Sequence, residues 1–174
     1  MKIYTLLFIS LIFLTGYSQV SNRVETNCNS QMMYVYGVLG TGKALIIASE
    51  GFDCSNCTSS ATALGSWATQ NKTKVSVWGA MTYTYSNNTP TCTEVNNWIS
   101  TYGWSDIFTF IDANEFYFET GTPRYTVYYP ADSSSEVFWV TSEAQQAALN
   151  ASNIIIGLNE KELLKNVNLY TLGK

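Results

Sequence analysis

Histidine is absent from the 174 residues of the chain. This absence excludes Ser–His–Asp and Cys–His nucleophilic systems, histidine general bases, histidine-ligated haem and Cys₂His₂ zinc sites. Charge is also scarce, because charged residues make up 13% of the chain and the formal net charge is −4. Nucleic acid and anionic membranes reward basic patches, which an acidic chain of this kind lacks. We therefore predict neither of these partners for the mature chain, and no cofactor.

An apolar run opens the chain. LLFISLIFL occupies 6–14, after the weakly basic Met1-Lys2, and Gly16-Tyr17-Ser18 places small residues at positions −3 and −1 of a cut before Gln19. This layout is typical of a secretory signal peptide. A membrane-spanning helix would need ~20 apolar residues, which the run does not reach. We expect residues 1–18 to be a signal peptide and the mature chain to be secreted or periplasmic.

Beyond the signal peptide, the apolar patterns alternate between strand and helix. We expect strands at 33–39, 43–49, 74–81, 107–111, 124–129 and 136–140, and helices at 58–70, at 93–102 and from Glu143 to Leu149. Ser142 is expected to cap the last helix, and the short turn at 130–134 makes the last two strands an antiparallel hairpin. The order of elements predicts one α/β domain in which helices cover a β-sheet.

A Cys-x-x-Cys pair lies between a buried strand and a helix. The strand contains Leu45-Ile46-Ile47, the pair is Cys54-Ser55-Asn56-Cys57, and Gly121-Thr122-Pro123 later leads into the hairpin. Together these three features resemble the thioredoxin fold. The resemblance implies a central mixed β-sheet flanked by helices over residues 43–152, preceded by an N-terminal extension and first strand at 19–42.

The resemblance also implies a thiol–disulfide oxidoreductase that acts on protein thiols or disulfides. A cysteine at a helix N-terminus meets unsatisfied N–H groups and the positive end of the helix dipole, which stabilise its thiolate. Cys54 would then be the attacking thiol, and Cys57 would resolve the mixed disulfide. In the family, a cis-proline beside the dithiol leaves backbone free to pair with substrate. Thr122 and Pro123 occupy the matching positions.

Three departures from the family pattern favour an alternative. Asp53 stands where thioredoxins have tryptophan, Ser55-Asn56 replaces Gly-Pro, and Leu45-Ile46-Ile47 offers no buried acid. The Asp53 carboxylate disfavours a thiolate next to it. The alternative is a redox-inactive surface or interaction protein of the same fold, in which the disulfides are only structural.

Cys28 and Cys92 are the other two cysteines of the chain. Four cysteines allow three pairings, and if Cys54 and Cys57 pair, Cys28 and Cys92 remain for a structural disulfide. That bond would join the N-terminal extension to the loop before the second helix. A tetrathiolate zinc site would need all four cysteines, yet only one close pair exists where structural zinc usually has two. We therefore predict no metal.

The C-terminal segment 153–174 carries a second resemblance. Gly157-Leu158-Asn159-Glu160 and Asn168-Leu169-Tyr170 resemble the opening of the type IX secretion sorting domain of Bacteroidetes cargo proteins. After Tyr170 the sequence departs from that pattern, with Thr-Leu-Gly-Lys in place of Pro-Asn-Pro. The resemblance implies either a truncated sorting domain or a vestigial tail. The alternative is an ordinary C-terminal helix that packs Leu163, Leu164 and Val167 on one face.

Overall fold

The computed structural model describes residues 21–83, 88–117 and 121–153. The expected signal peptide, and the sorting-domain resemblance from residue 154 onward, therefore lie outside the described residues. The elements in chain order are β1 (Val24–Thr26), β2 (Met32–Tyr34), α1 (Val35–Leu39), β3 (Ala44–Gly51), α2 (Ser55–Asn71), β4 (Val75–Tyr83), α3 (Cys92–Tyr102), β5 (Phe108–Ile111), β6 (Arg124–Tyr128), β7 (Ser135–Phe138) and α4 (141–153).

In the described residues, five strands form the central sheet, in the order β5-β4-β3-β6-β7. β3, β4 and β5 are parallel, whereas β6 is antiparallel to β3 and β7 is antiparallel to β6. All eight residues of β3 are buried, as expected of a central strand that is covered on both faces. The α/β class, the mixed sheet and the C-terminal hairpin predicted from the sequence are confirmed.

The sheet separates two apolar cores. On one face, alternate residues of β3 pack with α2, α3 and α4. Trp104 is buried there, and its Nε1 donates a hydrogen bond to the Ala61 carbonyl of α2 at 2.8 Å. Ser152 fixes the other end of α4, because its hydroxyl lies 2.8 Å from the Lys74 carbonyl just before β4. α4 therefore runs from the carboxyl end of β3 back to the start of β4.

The opposite face of the sheet is covered by α1 and the N-terminal extension. The strand predicted at 33–39 is wrong in its second half, because Val35–Leu39 forms a short helix. Val35, Val38 and Leu39 are the buried residues of that helix, and they pack on β3 and β4. Their i, i+3, i+4 spacing is helical, but in the sequence it is masked by the alternation of the preceding residues. The β1–β2 hairpin lies beside β5, through a bridge between Asn27 and Phe110.

The start of α4 is a second correction. The helix begins at 141, so Ser142 lies inside its first turn rather than at the cap. The amide N–H groups of Glu143 and Ala144 donate to the Val140 carbonyl at 3.2 Å, which begins the helix two residues before the predicted start. Among the described residues, the helices are too short or too polar to cross a membrane.

Candidate redox site

Cys54 and Cys57 lie at the point where the central strand passes into α2. Cys54 is the N-cap of α2, and its Sγ accepts a hydrogen bond from the Cys57 amide at 3.0 Å. The two sulfurs form a disulfide, with Cα atoms 5.1 Å apart. Cys57 is completely buried, whereas Cys54 is half-buried and its neighbours Asp53, Ser55 and Asn56 are mostly exposed. A partner arriving from solvent therefore meets Cys54 first.

The electrostatic surroundings of Cys54 contain a helix N-terminus and one exposed carboxylate. α2 has no acidic residue in its first turn, and the exposed Asp53, on the loop before it, opposes the helix dipole from nearby. The lysines of the described chain, Lys43, Lys72 and Lys74, lie before β3 or between α2 and β4. The 17 residues of α2 span about 25 Å, which is several Debye lengths of ~8 Å at physiological salt. The lysines therefore do not stabilise a thiolate at Cys54.

The Gly-x-Pro segment lies beside the same end of the sheet. The Thr122–Pro123 peptide bond is cis, and Arg124 immediately after it pairs with Ser49 of β3. Thr122 is held by a second strand, because its hydroxyl is 2.6 Å from the hydroxyl of Tyr83 at the end of β4. The structure thus brings the Gly-x-Pro segment to the strand end that carries the dithiol, although the two are about 65 residues apart in the sequence.

Glu50 is a buried acid that the sequence analysis missed. It lies on β3, four positions before Cys54, and its side chain is inaccessible to solvent. Burial raises the pKa of the Glu50 carboxyl to about 8, and the nearby Tyr125 hydroxyl offsets this only in part. Among the described residues, its carboxylate oxygens have no partner at good hydrogen-bond geometry. Leu45-Ile46-Ile47 has no acid, as the sequence shows, but β3 contains one three residues beyond Ile47.

One signal in the sequence could have identified Glu50. The run KALIIASEG reads as a strand buried on both faces, and Glu50 is its only acidic residue. A carboxyl group in such a strand must be neutral or paired. Perturbed acids of this kind are candidates for functional groups.

Tyr125 connects Glu50 to two helices. Its hydroxyl accepts a hydrogen bond from the Thr141 hydroxyl at the start of α4, at 2.8 Å. Burial, and then the negative charge of Glu50, raise the pKa of Tyr125 to about 12, while Thr141 and Ser60 of α2 lower it slightly. Ser60 in turn lies 3.2 Å from the Cys57 carbonyl. These polar groups, of which Glu50 and Tyr125 are buried and Ser60 and Thr141 are half-buried, thus link β3, β6, α2 and α4 near the dithiol.

Cys28 and Cys92 form the second disulfide, with Cα atoms 5.4 Å apart and 64 positions between them in the chain. Cys92 is the first residue of α3, and Cys28 lies in the turn between β1 and β2. The same helix start carries a capping box, in which the Glu94 carboxylate accepts from the Thr91 amide at 2.7 Å. That hydrogen bond lowers the pKa of Glu94. The disulfide therefore fastens the N-terminal extension to a helix end that is already well ordered by its cap.

Comparisons with known proteins place this fold. No protein-family model matches the sequence, and no curated protein is significantly similar to it. Among solved structures, the chain is similar to a secreted disulfide oxidoreductase of Mycobacterium tuberculosis, with 16% identity over 76% of this chain and 96% of that one, and a TM-score of 0.58.

Two further solved structures agree. A thioredoxin-family thiol:disulfide interchange protein of Chlorobium tepidum matches with 15% identity over 75% of this chain and 95% of that one, and a TM-score of 0.60. The thioredoxin domain of a thiol-disulfide oxidoreductase from Bacteroides vulgatus matches with 10% identity over 80% and 96%, and a TM-score of 0.57. The chain therefore has the thioredoxin-like fold, as the sequence predicted.

Proposed function

We propose that the chain is an exported thiol–disulfide oxidoreductase that acts on protein thiols or disulfides through Cys54 and Cys57. The observation that carries the proposal is the position of the pair at the N-terminus of α2, with one sulfur accessible and the other buried. The Cys57 amide already donates to the Cys54 sulfur at 3.0 Å. The same N–H group can donate to a thiolate, which is the nucleophile in thiol–disulfide exchange.

The proposed reaction consists of two exchanges. In the reduced protein, the Cys54 thiolate attacks a substrate disulfide, forms a mixed disulfide and releases one substrate thiolate, which takes up a proton. The Cys57 thiol then loses its proton and attacks the Cys54 sulfur, which forms the Cys54–Cys57 bond and releases the second substrate thiol. The substrate gains two electrons and the protein loses two. Run backwards, the same steps oxidise a substrate dithiol.

The Glu50 carboxyl group adds no negative charge near the dithiol during these steps at neutral pH. With its pKa raised to about 8, the carboxyl group is protonated at neutral pH. The exposed Asp53 carboxylate is then the nearby negative charge that opposes the Cys54 thiolate, and solvent screens it. The dipole and the N–H groups at the start of α2 favour the thiolate by ~0.3–1 kcal/mol at an exposed site, and by more where the group is partly buried. Cys54 is partly buried, which favours the redox-active interpretation.

Substrate backbone would pair with the segment at Thr122 and Pro123, by analogy with the family that the fold resembles. Thr122 is half-buried, so one side of it remains open to a partner. An extended substrate segment placed there would adjoin the strand end that leads to Cys54. Protein disulfides, rather than small disulfides, are therefore the proposed substrates.

Export completes the proposal. Residues 1–18 have the layout of a signal peptide, and the two disulfides suit an oxidising compartment. We further propose that 153–174 contains the opening of a type IX sorting domain, on the resemblance of Gly157-Leu158-Asn159-Glu160 and Asn168-Leu169-Tyr170. Fractionation of the producing cells tests the proposal of export. The protein is expected outside the cytoplasm without residues 1–18, and protein that retains them would contradict the signal peptide.

The function is tested by turnover of a protein disulfide such as insulin, with dithiothreitol as reductant. The wild-type chain is expected to accelerate reduction, and Cys54→Ser is expected to abolish the acceleration. The matched control is the double variant Cys28→Ser/Cys92→Ser, which removes the other disulfide and is expected to keep activity. A wild type without activity, or a Cys54→Ser variant with full activity, would refute the proposal.

A redox-inactive interaction protein is the second candidate, and one surface favours it. β7 is an edge strand of the sheet, and Val137, Trp139 and Val140 on and just after it are 40–53% exposed. Within the described part of the chain, no strand pairs with the outer side of β7, and exposed apolar groups on such an edge are typical of binding surfaces. The reduction potential of the Cys54–Cys57 pair separates the candidates, because structural disulfides of secreted proteins usually lie below about −300 mV.

A further inference from the structure

Tyr83 touches both segments that flank the proposed site. It is the last residue of β4, and its hydroxyl lies 2.6 Å from the hydroxyl of Thr122. Its carbonyl accepts a hydrogen bond from the Phe52 amide at 3.1 Å, two residues before Cys54. Tyr83 thus connects the loop that precedes the dithiol, through its backbone carbonyl, to the residue that precedes Pro123, through its hydroxyl group.

The ring of Tyr83 is held in place by close packing over Gly51. A Cβ atom on Gly51 would lie 2.5 Å from Tyr83 Cζ and 2.8 Å from its hydroxyl oxygen, both well inside contact distance. Gly51 itself is joined to the dithiol, because its carbonyl accepts from the Cys54 amide at 3.4 Å. The contacts therefore run without a gap from Cys54 through Gly51 and Tyr83 to Thr122.

We propose that Tyr83 is a positioning residue that holds Thr122 in register with Cys54, and thereby sets the affinity of the site for extended peptide substrates. This inference rests on the proposed function and names a determinant of its specificity. Thr122 begins the turn into β6, and the Tyr83 hydroxyl is the group that ties its side chain to β4. Without that hydrogen bond, Thr122 can adopt other side-chain and backbone positions, and a peptide must order the segment when it binds. A small thiol makes no contact with Thr122, so its affinity does not depend on Tyr83.

The test measures an exchange equilibrium on the full chain in a Cys57→Ser background, where a mixed disulfide on Cys54 persists. The protein carrying a Cys54–mercaptoethanol disulfide is mixed with a ten-residue peptide that contains one cysteine. Exchange forms the Cys54–peptide disulfide and releases mercaptoethanol as a thiol, and mass spectrometry measures the two species. Because Cys54 is in a disulfide on both sides, a change in its thiolate stability cancels from the ratio.

Tyr83→Phe is expected to lower the preference for peptide about fivefold, the effect of losing one neutral hydrogen bond. The matched control is Tyr129→Phe, which also removes a tyrosine hydroxyl, one that donates a 2.8 Å hydrogen bond to the Glu136 carboxylate at the opposite end of the sheet. That variant is expected to leave the preference unchanged. In turnover assays, Tyr83→Phe should raise KM for a protein disulfide with kcat little changed.

The other partner in the hydrogen bond gives the rescue test. Thr122→Ser retains a hydroxyl group and should retain most of the peptide preference, whereas Thr122→Val should lose it about as much as Tyr83→Phe. The double variant Tyr83→Phe/Thr122→Val should lose no more than either single variant, because both remove the same interaction. Equal preference in Tyr83→Phe and wild type, or additive losses in the double variant, would overturn the proposal. So would a Cys57→Ser protein with no preference for peptide over mercaptoethanol.

The result that would refute the proposed function differs from the results that would refute the role of Tyr83. A wild-type chain that reduces no protein disulfide refutes the oxidoreductase proposal, whatever the exchange equilibrium shows. The equilibrium needs only a reactive Cys54 sulfur and no catalytic cycle. A loss of peptide preference on Tyr83→Phe would therefore support the role of Tyr83 even in a protein without turnover.

Discussion

The burial of Glu50 makes the stability of the chain depend on pH in a predictable direction. The carboxyl group has an ordinary pKa of 4.5, which burial raises to about 8 in the folded protein. Between these values the folded protein holds a proton that the unfolded chain has lost. The contribution of this proton to the free energy of unfolding is therefore fully present below about pH 4.5, and it is lost as pH rises toward 8. The expected slope is about 1.4 kcal/mol per pH unit, or ~3–4 kcal/mol between pH 5 and 8.

The window from pH 5 to 8 contains little else that titrates. The chain has no histidine, and its four cysteines are in disulfides. The other shifted carboxyl groups of the described residues, Glu94, Asp106 and Asp132, have lowered pKa values and ionise below this window. Burial raises the pKa of Tyr125, the phenol facing Glu50, to about 12. A slope in this window can therefore be assigned to Glu50 with little interference.

The perturbation is Glu50→Gln, which is neutral at every pH and close in shape. Urea unfolding of the oxidised protein at pH 5, 6, 7 and 8 gives the free energy of unfolding, which should fall with pH in the wild type and stay level in the variant. From pH 5 to pH 8, the unfolding free energy of the variant should thus rise by ~3–4 kcal/mol relative to that of the wild type. Glu143→Gln, at an exposed position of α4, is the matched control and should keep the wild-type slope. A wild type whose stability is flat from pH 5 to 8 would refute the reasoning.

Three further predictions follow from the same structure. Alkylation of the reduced protein at mildly acidic pH should label Cys54 before the completely buried Cys57, and mass spectrometry showing equal labelling, or Cys57 first, would reject the assignment of roles. In urea unfolding, the variant Cys28→Ser/Cys92→Ser should lose about 4 kcal/mol of unfolding free energy. The disulfide joins residues 64 positions apart, and closing so long a loop restricts the unfolded chain. A loss below about 1 kcal/mol would contradict that reasoning. Gly65→Ala should lower the free energy of unfolding by roughly 1–3 kcal/mol in the same assay, although alanine has the higher helix propensity. The reason is that the added methyl would lie 2.7 Å from the carbonyl oxygen of the last residue of α3. An unchanged or raised stability would show that α3 can move aside.

The sequence predicted the fold because its signals are local and agree with one another. The apolar run that became β3, the helical spacing on α2 and the closely linked pair of strands at the C-terminus each specify one element. Their order then leaves few arrangements of an α/β sheet. The prediction for the N-terminal extension is wrong at α1, because a five-residue helix follows a strand directly and has too few residues to establish a helical period.

The candidate site was only partly predictable, since its parts come together through pairings that the sequence does not display. Cys54 and Cys57 are recognisable from their spacing alone. Glu50 is harder to recognise, because its importance depends on complete burial, to which the pairing of β6 with β3 and the covering of that face by α2 and α4 contribute. The contact between Tyr83 and Thr122 joins residues 39 positions apart. No motif at either position points to it.

The reactivity of Cys54 depends on what its surroundings lack. No histidine exists to take its proton, and the lysines of the described chain lie at the far end of α2. The start of α2 favours a thiolate, and Asp53 and Glu50 are the acids that oppose it from nearby. Because Glu50 is protonated below about pH 8, its opposition begins only when it ionises. A buried negative charge is screened far less than the exposed one at Asp53, so ionisation of Glu50 is the larger effect. Alkaline pH thus acts on Cys54 in two opposing ways, by promoting loss of its proton and by charging the carboxyl group close to it. In Glu50→Gln only the first remains, so the thiolate fraction of Cys54 should rise more steeply with pH in that variant than in the wild type.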